Sequence, residues 1–149
     1  MRFEEALPVA VEAINSENGF RFYQRGTSML PMLREGIDSV LIVSKDKIPP
    51  KKGEVILYRR ENGAFVLHRI IAVNKNGFVT CGDNQVTPER NVSLASVLGV
   101  LGGFWHGDTF VAHDNAEYVS YVARRIFSRR FRYAEMSVKR VIKRITQRS

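Results

Sequence analysis

Two short segments carry the residues with the clearest chemical potential. Ser28 lies in a turn between Gly26 and Pro31, and His68 lies later in the chain within an apolar stretch that is typical of a strand. A serine hydroxyl is a poor nucleophile at neutral pH and needs a nearby base. An imidazole suits that role because it titrates close to neutral pH. The pair therefore indicates nucleophilic catalysis, provided that the fold brings the two side chains together.

Each of these residues also has a plain structural interpretation. Taken alone, Ser28 is an ordinary loop serine and His68 is a half-buried strand histidine. Two acidic residues follow the candidate base, namely Asp83 in a Gly-Asp-Asn turn and Glu89. Either carboxylate could orient the imidazole and stabilise its cation. Turn chemistry alone also explains Asp83, so the choice between the two acids stays open on this ground.

The turn around Ser28 also offers groups that could bind an oxyanion or a substrate. Backbone amides in a turn shaped by glycine and proline can point toward a developing negative charge. The amide of Ser28 is the first candidate donor, and the amide of Gly26 or the side chain of Thr27 is a second. We assign Gly26, Thr27 and Met29 to substrate or oxyanion binding. For Met29 two places are possible: on an apolar rim of the site, or in the core, which is the usual place for such a residue.

The elements that must position these residues are mostly strands. Residues 2–17 predict a helix because an apolar stripe recurs at helical spacing, at Phe3, Leu7, Val11 and Ile14. From 37 to 112, apolar runs alternate with turn signals such as two Asn-Gly pairs. We predict strands at 20–24, 40–43, 54–60, 65–73, 78–81, 97–105 and 109–112. This spacing favours a mainly β fold, with a coiled, barrel-like antiparallel sheet.

The C-terminal part differs from the rest in charge and in period. The chain has a formal net charge of +8, from 23 Lys/Arg and 15 Asp/Glu, and residues 115–149 hold the whole excess. Apolar residues recur there at helical spacing between the basic ones, among them Val138, Val141, Ile142 and Ile145. We predict a catalytic domain at 1–114 with an N-terminal helix, and a tail of one or two basic amphipathic helices at 115–149.

Taken together, the motifs resemble the superfamily of signal peptidases and self-cleaving repressors. The resemblance spans roughly residues 20–104 and lies, in the family's order, in 26–33, 36–40, 52–56, 68–70, 82–84 and 97–100. Bacterial signal peptidases and the repressors typically pair serine with lysine. His68 at that position resembles the endoplasmic-reticulum type, the histidine branch. The resemblance implies a catalytic fold built on a coiled β-sheet.

The resemblance also implies a serine endopeptidase that needs no metal and no cofactor. Ser28 would attack the scissile carbonyl, and His68 would take its proton and return it to the leaving amine. The histidine branch carries an acid shortly after its Gly-Asp-Asn turn, which makes Glu89 the favoured third catalytic member and leaves Asp83 to support the turn. The implied substrate is a peptide or protein segment, such as a leader, with small residues before the cut.

The chain departs from membrane-anchored signal peptidases, since no stretch approaches the roughly 18 consecutive apolar residues of a spanning helix. We therefore expect a cytoplasmic member, and contact of residues 115–149 with an anionic membrane surface is an open alternative. Nucleic acid is less favoured as a partner because no recognition motif accompanies the charge. The single cysteine, Cys81, excludes an internal disulfide framework. The oligomeric state stays open.

The rival hypothesis is a catalytically silent binding module of the same fold. In that case the basic tail would dock to a membrane, a nucleic acid or a protein partner, and the site would be vestigial. Intact Ser28, His68 and Glu89 argue against it.

Overall fold

An open antiparallel sheet of eight strands forms the body of the protein. The computed structural model describes residues 5–148, apart from the side chains of 130–142 and 146–148. In chain order the elements are α1 (Leu7–Ile14), β1 (Phe20–Tyr23), β2 (Ser39–Val43), β3 (Val55–Arg59), β4 (Phe65–Asn74), β5 (Gly77–Cys81), β6 (Glu89–Val92), a 3₁₀ helix (Leu94–Ser96), β7 (Val97–His106), β8 (Thr109–Ala112) and α2 (Ala116–Arg148). The predicted mainly β class is confirmed.

The sheet has the strand order β1-β2-β7-β3-β4-β5-β6, and β8 pairs with β7 off this path. In the described part of the chain β1 and β6 end the sheet without pairing with each other, so the barrel-like closure that we expected is not present. The register shifts within four of the strand pairs, β2–β7, β3–β7, β4–β5 and β5–β6. Such bulges bend the strands and increase their twist, so the sheet coils without closing.

The coiled sheet separates two apolar clusters, and β3 contributes to both. Its side chains alternate between the two faces, as in any strand. Val55 and Leu57 lie in the first cluster, while Ile56 and Tyr58 lie in the second. Burial on both faces places β3 and its neighbours β4 and β7 at the centre of the molecule, which gives the site residues on β4 a rigid support.

The structure differs from the sequence prediction mainly at its edges. Helix α1 is shorter than the predicted 2–17 because Pro8 lies in its first turn, the one place where proline fits a helix; residues 1–4, including Phe3, lie outside the described residues. Strand β6 was not predicted, because its sequence Glu-Arg-Asn-Val has no apolar alternation. It forms through pairing with β5.

Helix α2 begins as part of the body. Tyr118 is buried in the first apolar cluster, and Tyr121 and Val122 pack against it. The predicted boundary at 114/115 thus follows the change in charge and period, whereas the packing runs across it. Of the predicted stripe farther along, the side chains of Val138, Val141 and Ile142 lie outside the described residues, and Ile145 is exposed.

Within the described residues, no helix combines the length and the apolar character that crossing a bilayer requires.

The close contact between β7 and β2 predicts that Gly99→Ala destabilises the fold. A Cβ at Gly99 would lie 2.5 Å from Ile42 Cγ2 and 2.7 Å from the carbonyl oxygen of Val43. Because backbone must move to relieve this overlap, we expect a loss of about 1–3 kcal/mol in the free energy of unfolding, measured by urea titration.

The matched control is Gly102→Ala on the same strand, where the nearest atom is a side-chain carbon of Val43 at 3.1 Å. A smaller loss is expected there. Equal stability of the two variants would contradict the packing described for Gly99.

Candidate active site

A groove of about 790 Å³ contains both Ser28 and His68. Its walls come from β1, the segment that follows β1, and the facing strands β3 and β4. Residues that line it include Phe20, Phe22, Gln24, Ser28, Arg60, Phe65, His68 and Gln85. The groove is therefore aromatic on its walls and polar where the two candidate catalytic residues lie.

The 26–33 segment is anchored by buried side chains on both sides of its turn. Met29 and Leu33 are fully buried in the first apolar cluster, and the amide of Leu33 donates to the carbonyl of Met29 at 3.0 Å. Ser28 itself is half-buried. Gly26 and Thr27 are exposed beside it, and Gly26 has a φ of +82°, which glycine adopts without strain.

Met29 therefore belongs to the core, which was the alternative to a place on the apolar rim. Its side chain has no exposed surface and follows the ordinary behaviour of a large apolar residue. Gly26 and Thr27 stay candidates for oxyanion or substrate contact, since they precede Ser28 on the exposed side of the turn.

The 82–84 turn holds Ser28 through the main chain. The amide of Asn84 donates to the carbonyl of Ser28 at 2.8 Å, and its side chain donates to the carbonyl of Thr27 at 3.1 Å. A Cβ at Gly82 would lie 2.5 Å from the same Ser28 oxygen, so only glycine allows this approach. Two motifs that are far apart in sequence are thus joined at the candidate nucleophile.

Asp83 is held by a buried ion pair and does not contact His68 through a hydrogen bond. Arg69 donates from Nε to Oδ1 at 2.7 Å and from Nη2 to Oδ2 at 2.8 Å, and both side chains are almost fully buried. The hydroxyl of Tyr121 adds a third bond to Oδ2 at 2.9 Å. Burial alone would lower the pKa of Arg69, but the bonds to Asp83 outweigh it and raise that pKa.

His68 is buried on β4 opposite Ile56, with 5% of its surface exposed. Among the described residues its Nδ1 has no hydrogen-bond partner, and no hydrogen bond joins the ring to the hydroxyl of Ser28. The pKa of His68 is lowered to about 4, chiefly by burial and in addition by the charge of Arg60, while Glu89 and Asp83 oppose the shift. The imidazole is therefore neutral at pH 7 and able to accept a proton.

Glu89 is bound to Arg60 and Tyr58, and no hydrogen bond joins its carboxylate to His68. Arg60 Nε donates to both carboxylate oxygens at 3.1 Å, and the hydroxyl of Tyr58 donates to Oε2 at 2.7 Å. Burial would raise the pKa of Glu89, yet these bonds lower it. A guanidinium matches a carboxylate in charge and geometry, so it prevails over a neutral imidazole.

Two residues of the groove were missed by the sequence prediction. Arg60 holds Glu89 and places a positive charge near His68. Gln24 is buried, its Nε2 donates to the carbonyls of Arg25 and Gly26, and its Oε1 is buried without a partner among the described residues. No local sequence pattern marks either residue as part of a site. Arg60 acts on residues that are distant in the sequence, and Gln24 is distinguished only by its burial.

Comparison with known proteins adds no relative: no protein-family model matches the chain, and no curated protein matches it significantly. The resemblance to the signal peptidases therefore depends on the motif residues themselves.

The environment of His68 predicts how its imidazole titrates. We expect a midpoint near pH 4 instead of 6.5 in a ¹H–¹⁵N NMR titration. Arg60→Gln should raise this midpoint, because it removes a neighbouring positive charge and leaves Glu89 uncompensated. Arg59→Gln, a change of the adjacent and exposed arginine, is the control and should leave it in place. A midpoint that stays at 6.5 in the native protein would contradict the burial of this ring.

The same shift predicts a pH dependence of stability. The pKa of His68 is lower in the folded protein than in the unfolded chain, so the unfolded chain binds the proton first as the pH falls. The contribution of His68 to the free energy of unfolding is complete above pH 6.5 and is lost as the pH falls toward 4. Urea titrations over this window should show a shallower loss for His68→Gln than for the natural protein. An identical slope would count against the shift.

Proposed function

We propose that this protein is a serine endopeptidase of the signal-peptidase-like type, with Ser28 as the nucleophile and His68 as the general base. The observation that carries the proposal is the convergence of three motif segments on Ser28: Ser28 and His68 line one groove, and the 82–84 turn is hydrogen-bonded to the backbone of Ser28. A nucleophile needs both a base and a fixed position, and these three segments supply them.

In the proposed reaction the neutral imidazole of His68 takes the hydroxyl proton of Ser28 while the oxygen attacks the scissile carbonyl. The amide of Ser28 and a group of Gly26 or Thr27 would bind the resulting oxyanion. The carbon–nitrogen bond then breaks, and His68 returns the proton to the leaving amine. Water, deprotonated by His68, then attacks the acyl carbon, the ester bond to Ser28 breaks, and His68 returns the proton to the serine oxygen as the new carboxyl terminus leaves.

Substrate binding must shorten the path between the two side chains, because they share no hydrogen bond in the free protein. Catalytic hydrogen bonds are often long before substrate binds. The Nδ1 atom of His68 is buried, which leaves Nε2 as the nitrogen for proton transfer. No carboxylate of the described residues backs the ring, so the imidazolium formed in the reaction depends on the more distant charges of Glu89 and Asp83.

The walls of the groove support a peptide as the substrate. Phe20, Phe22 and Phe65 line it and favour apolar side chains in an extended segment. The resemblance to signal peptidases adds a preference for small residues before the cut.

A binding module of the same fold is the second candidate function. It is favoured by the missing hydrogen bond between Ser28 and His68, and by the arginines that hold both carboxylates. Such a protein would bind an extended peptide in the groove and release it unchanged.

The proposal predicts that Ser28→Ala and His68→Gln each remove cleavage. Loss of either catalytic side chain should lower kcat/KM by roughly a thousand-fold or more, because nucleophile and base act as one unit. The measurement is the appearance of new termini in a proteome-derived peptide library, read by mass spectrometry with the full chain.

Ser120→Ala and His113→Gln repeat the same side-chain changes away from the groove and should retain activity. Peptide binding without any new termini in the natural protein would support the binding module and refute the peptidase. Cleavage that persists in Ser28→Ala would refute the assigned nucleophile.

The lowered pKa of His68 also predicts the pH profile of cleavage. Since the base stays neutral down to a pKa of about 4, kcat/KM should remain high at pH 5.5 and fall only below about pH 5. Initial rates at low substrate concentration across pH 3.5–8, at constant ionic strength, test this expectation. An acid limb centred near 6.5 would show that another group acts as the base, because kcat/KM follows the pKa values of the free enzyme.

A further inference from the structure

One face of helix α2 forms hydrogen bonds to the loop around the 82–84 turn. Tyr121, Arg125 and Arg129 follow at intervals of four residues and therefore lie on the same side of the helix. Tyr121 donates to the carboxylate of Asp83 at 2.9 Å, and Arg129 Nη2 donates to the carbonyl of Val86 at 2.8 Å. Between them, Arg125 donates from Nη2 and Nε to the carbonyl of Asp83, at 2.8 and 3.2 Å.

The bond from Arg125 reaches the peptide group that holds Ser28. The carbonyl oxygen of Asp83 and the amide nitrogen of Asn84 belong to one planar peptide unit. Arg125 donates to the oxygen of that unit, and the N–H of the same unit, which belongs to Asn84, donates to the carbonyl of Ser28 at 2.8 Å. A cation on the oxygen polarises the amide and strengthens it as a donor, as in other chains of hydrogen bonds.

Contacts outside α2 fix the ends of this turn: the amide of Gln85 donates to the carbonyl of Gly82 at 2.9 Å, and the side chain of Asn84 donates to the carbonyl of Thr27 at 3.1 Å. The buried pair with Arg69 fixes the side chain of Asp83, and Gly82 packs against the backbone of Ser28. A carboxylate fixed at its oxygens still permits rotation of the following peptide group. The two bonds from Arg125 restrict that rotation.

We propose that Arg125, assisted by Tyr121, is a positioning residue for Ser28. Helix α2 then contributes directly to the site, while Arg124, Lys143 and Arg144, among its described basic side chains, are exposed. The inference rests on the proposed peptidase function for its kinetic consequence, while the link from Arg125 to Asn84 and Ser28 can be measured without any activity.

The kinetic experiment compares Arg125→Ala with the matched control Arg124→Ala, an exposed arginine one position earlier. We expect kcat to fall about tenfold to a hundredfold for Arg125→Ala with KM within about threefold of the natural value, since small displacements of a reacting atom are costly. Arg125→Lys keeps one charged donor and should recover part of the rate. Tyr121→Phe should show a smaller loss, and Arg124→Ala none.

The second experiment measures amide hydrogen exchange by NMR on the full chain. The amide of Asn84 should exchange at least about fivefold faster in Arg125→Ala than in Arg124→Ala, under conditions where urea titration shows both variants folded. Buried amides of β3 serve as internal references and should keep their protection.

The two proposals fail in different ways. Faster exchange at Asn84 with no cleavage by the natural protein would refute the peptidase and support the structural link. Cleavage in the natural protein with unchanged exchange at Asn84, or with unchanged kcat in Arg125→Ala, would overturn the role of Arg125 and leave the peptidase intact. A general loss of protection that includes β3 would also count against a local positioning role.

Discussion

The buried ion pair between Arg69 and Asp83 joins three parts of the molecule on which the candidate site depends: β4, the 82–84 turn and helix α2. Arg69 comes from the central strand β4 and also donates to the carbonyl of Gly53 and the hydroxyl of Tyr118. Asp83 lies in the turn that holds Ser28 and also accepts a hydrogen bond from Tyr121. Two charges at this depth are tolerated because each oxygen of the carboxylate has a donor. Loss of either partner would leave an uncompensated buried charge, which costs about 3–5 kcal/mol in comparable pairs.

A second arrangement of charges controls the candidate base. Burial is the main reason that the cation of His68 is disfavoured, and Arg60, which is paired with Glu89, adds a positive charge close to the groove. This suits a base that must be unprotonated when substrate arrives. It also raises the free energy of the imidazolium that a serine reaction would form. The imidazole of His68 in the free protein is therefore neutral at pH 7 and has no carboxylate hydrogen-bonded to it.

The motifs that resemble signal peptidases account for the parts of the site that depend on the backbone. Gly82 approaches the backbone of Ser28 too closely for any side chain, and Gly26 adopts a positive φ in the turn before Ser28. Constraints of this kind are visible in a sequence because only glycine satisfies them. The partners of Asp83 and Glu89 are not visible in the same way. Any arginine is a suitable partner for a carboxylate, so the fold alone selects Arg69 for one acid and Arg60 for the other.

The sequence by itself determined the strands whose apolar residues alternate and whose ends are marked by Asn-Gly or proline, because these signals act between near neighbours. It also indicated Ser28 and His68 as a pair. Only the tertiary structure decided that β6 pairs with β5, that Met29 enters the core, and that Tyr121 and Arg125 reach the 82–84 turn. These outcomes depend on contacts between residues far apart in the chain, whose free energy exists only once the sheet has coiled and α2 has packed against it.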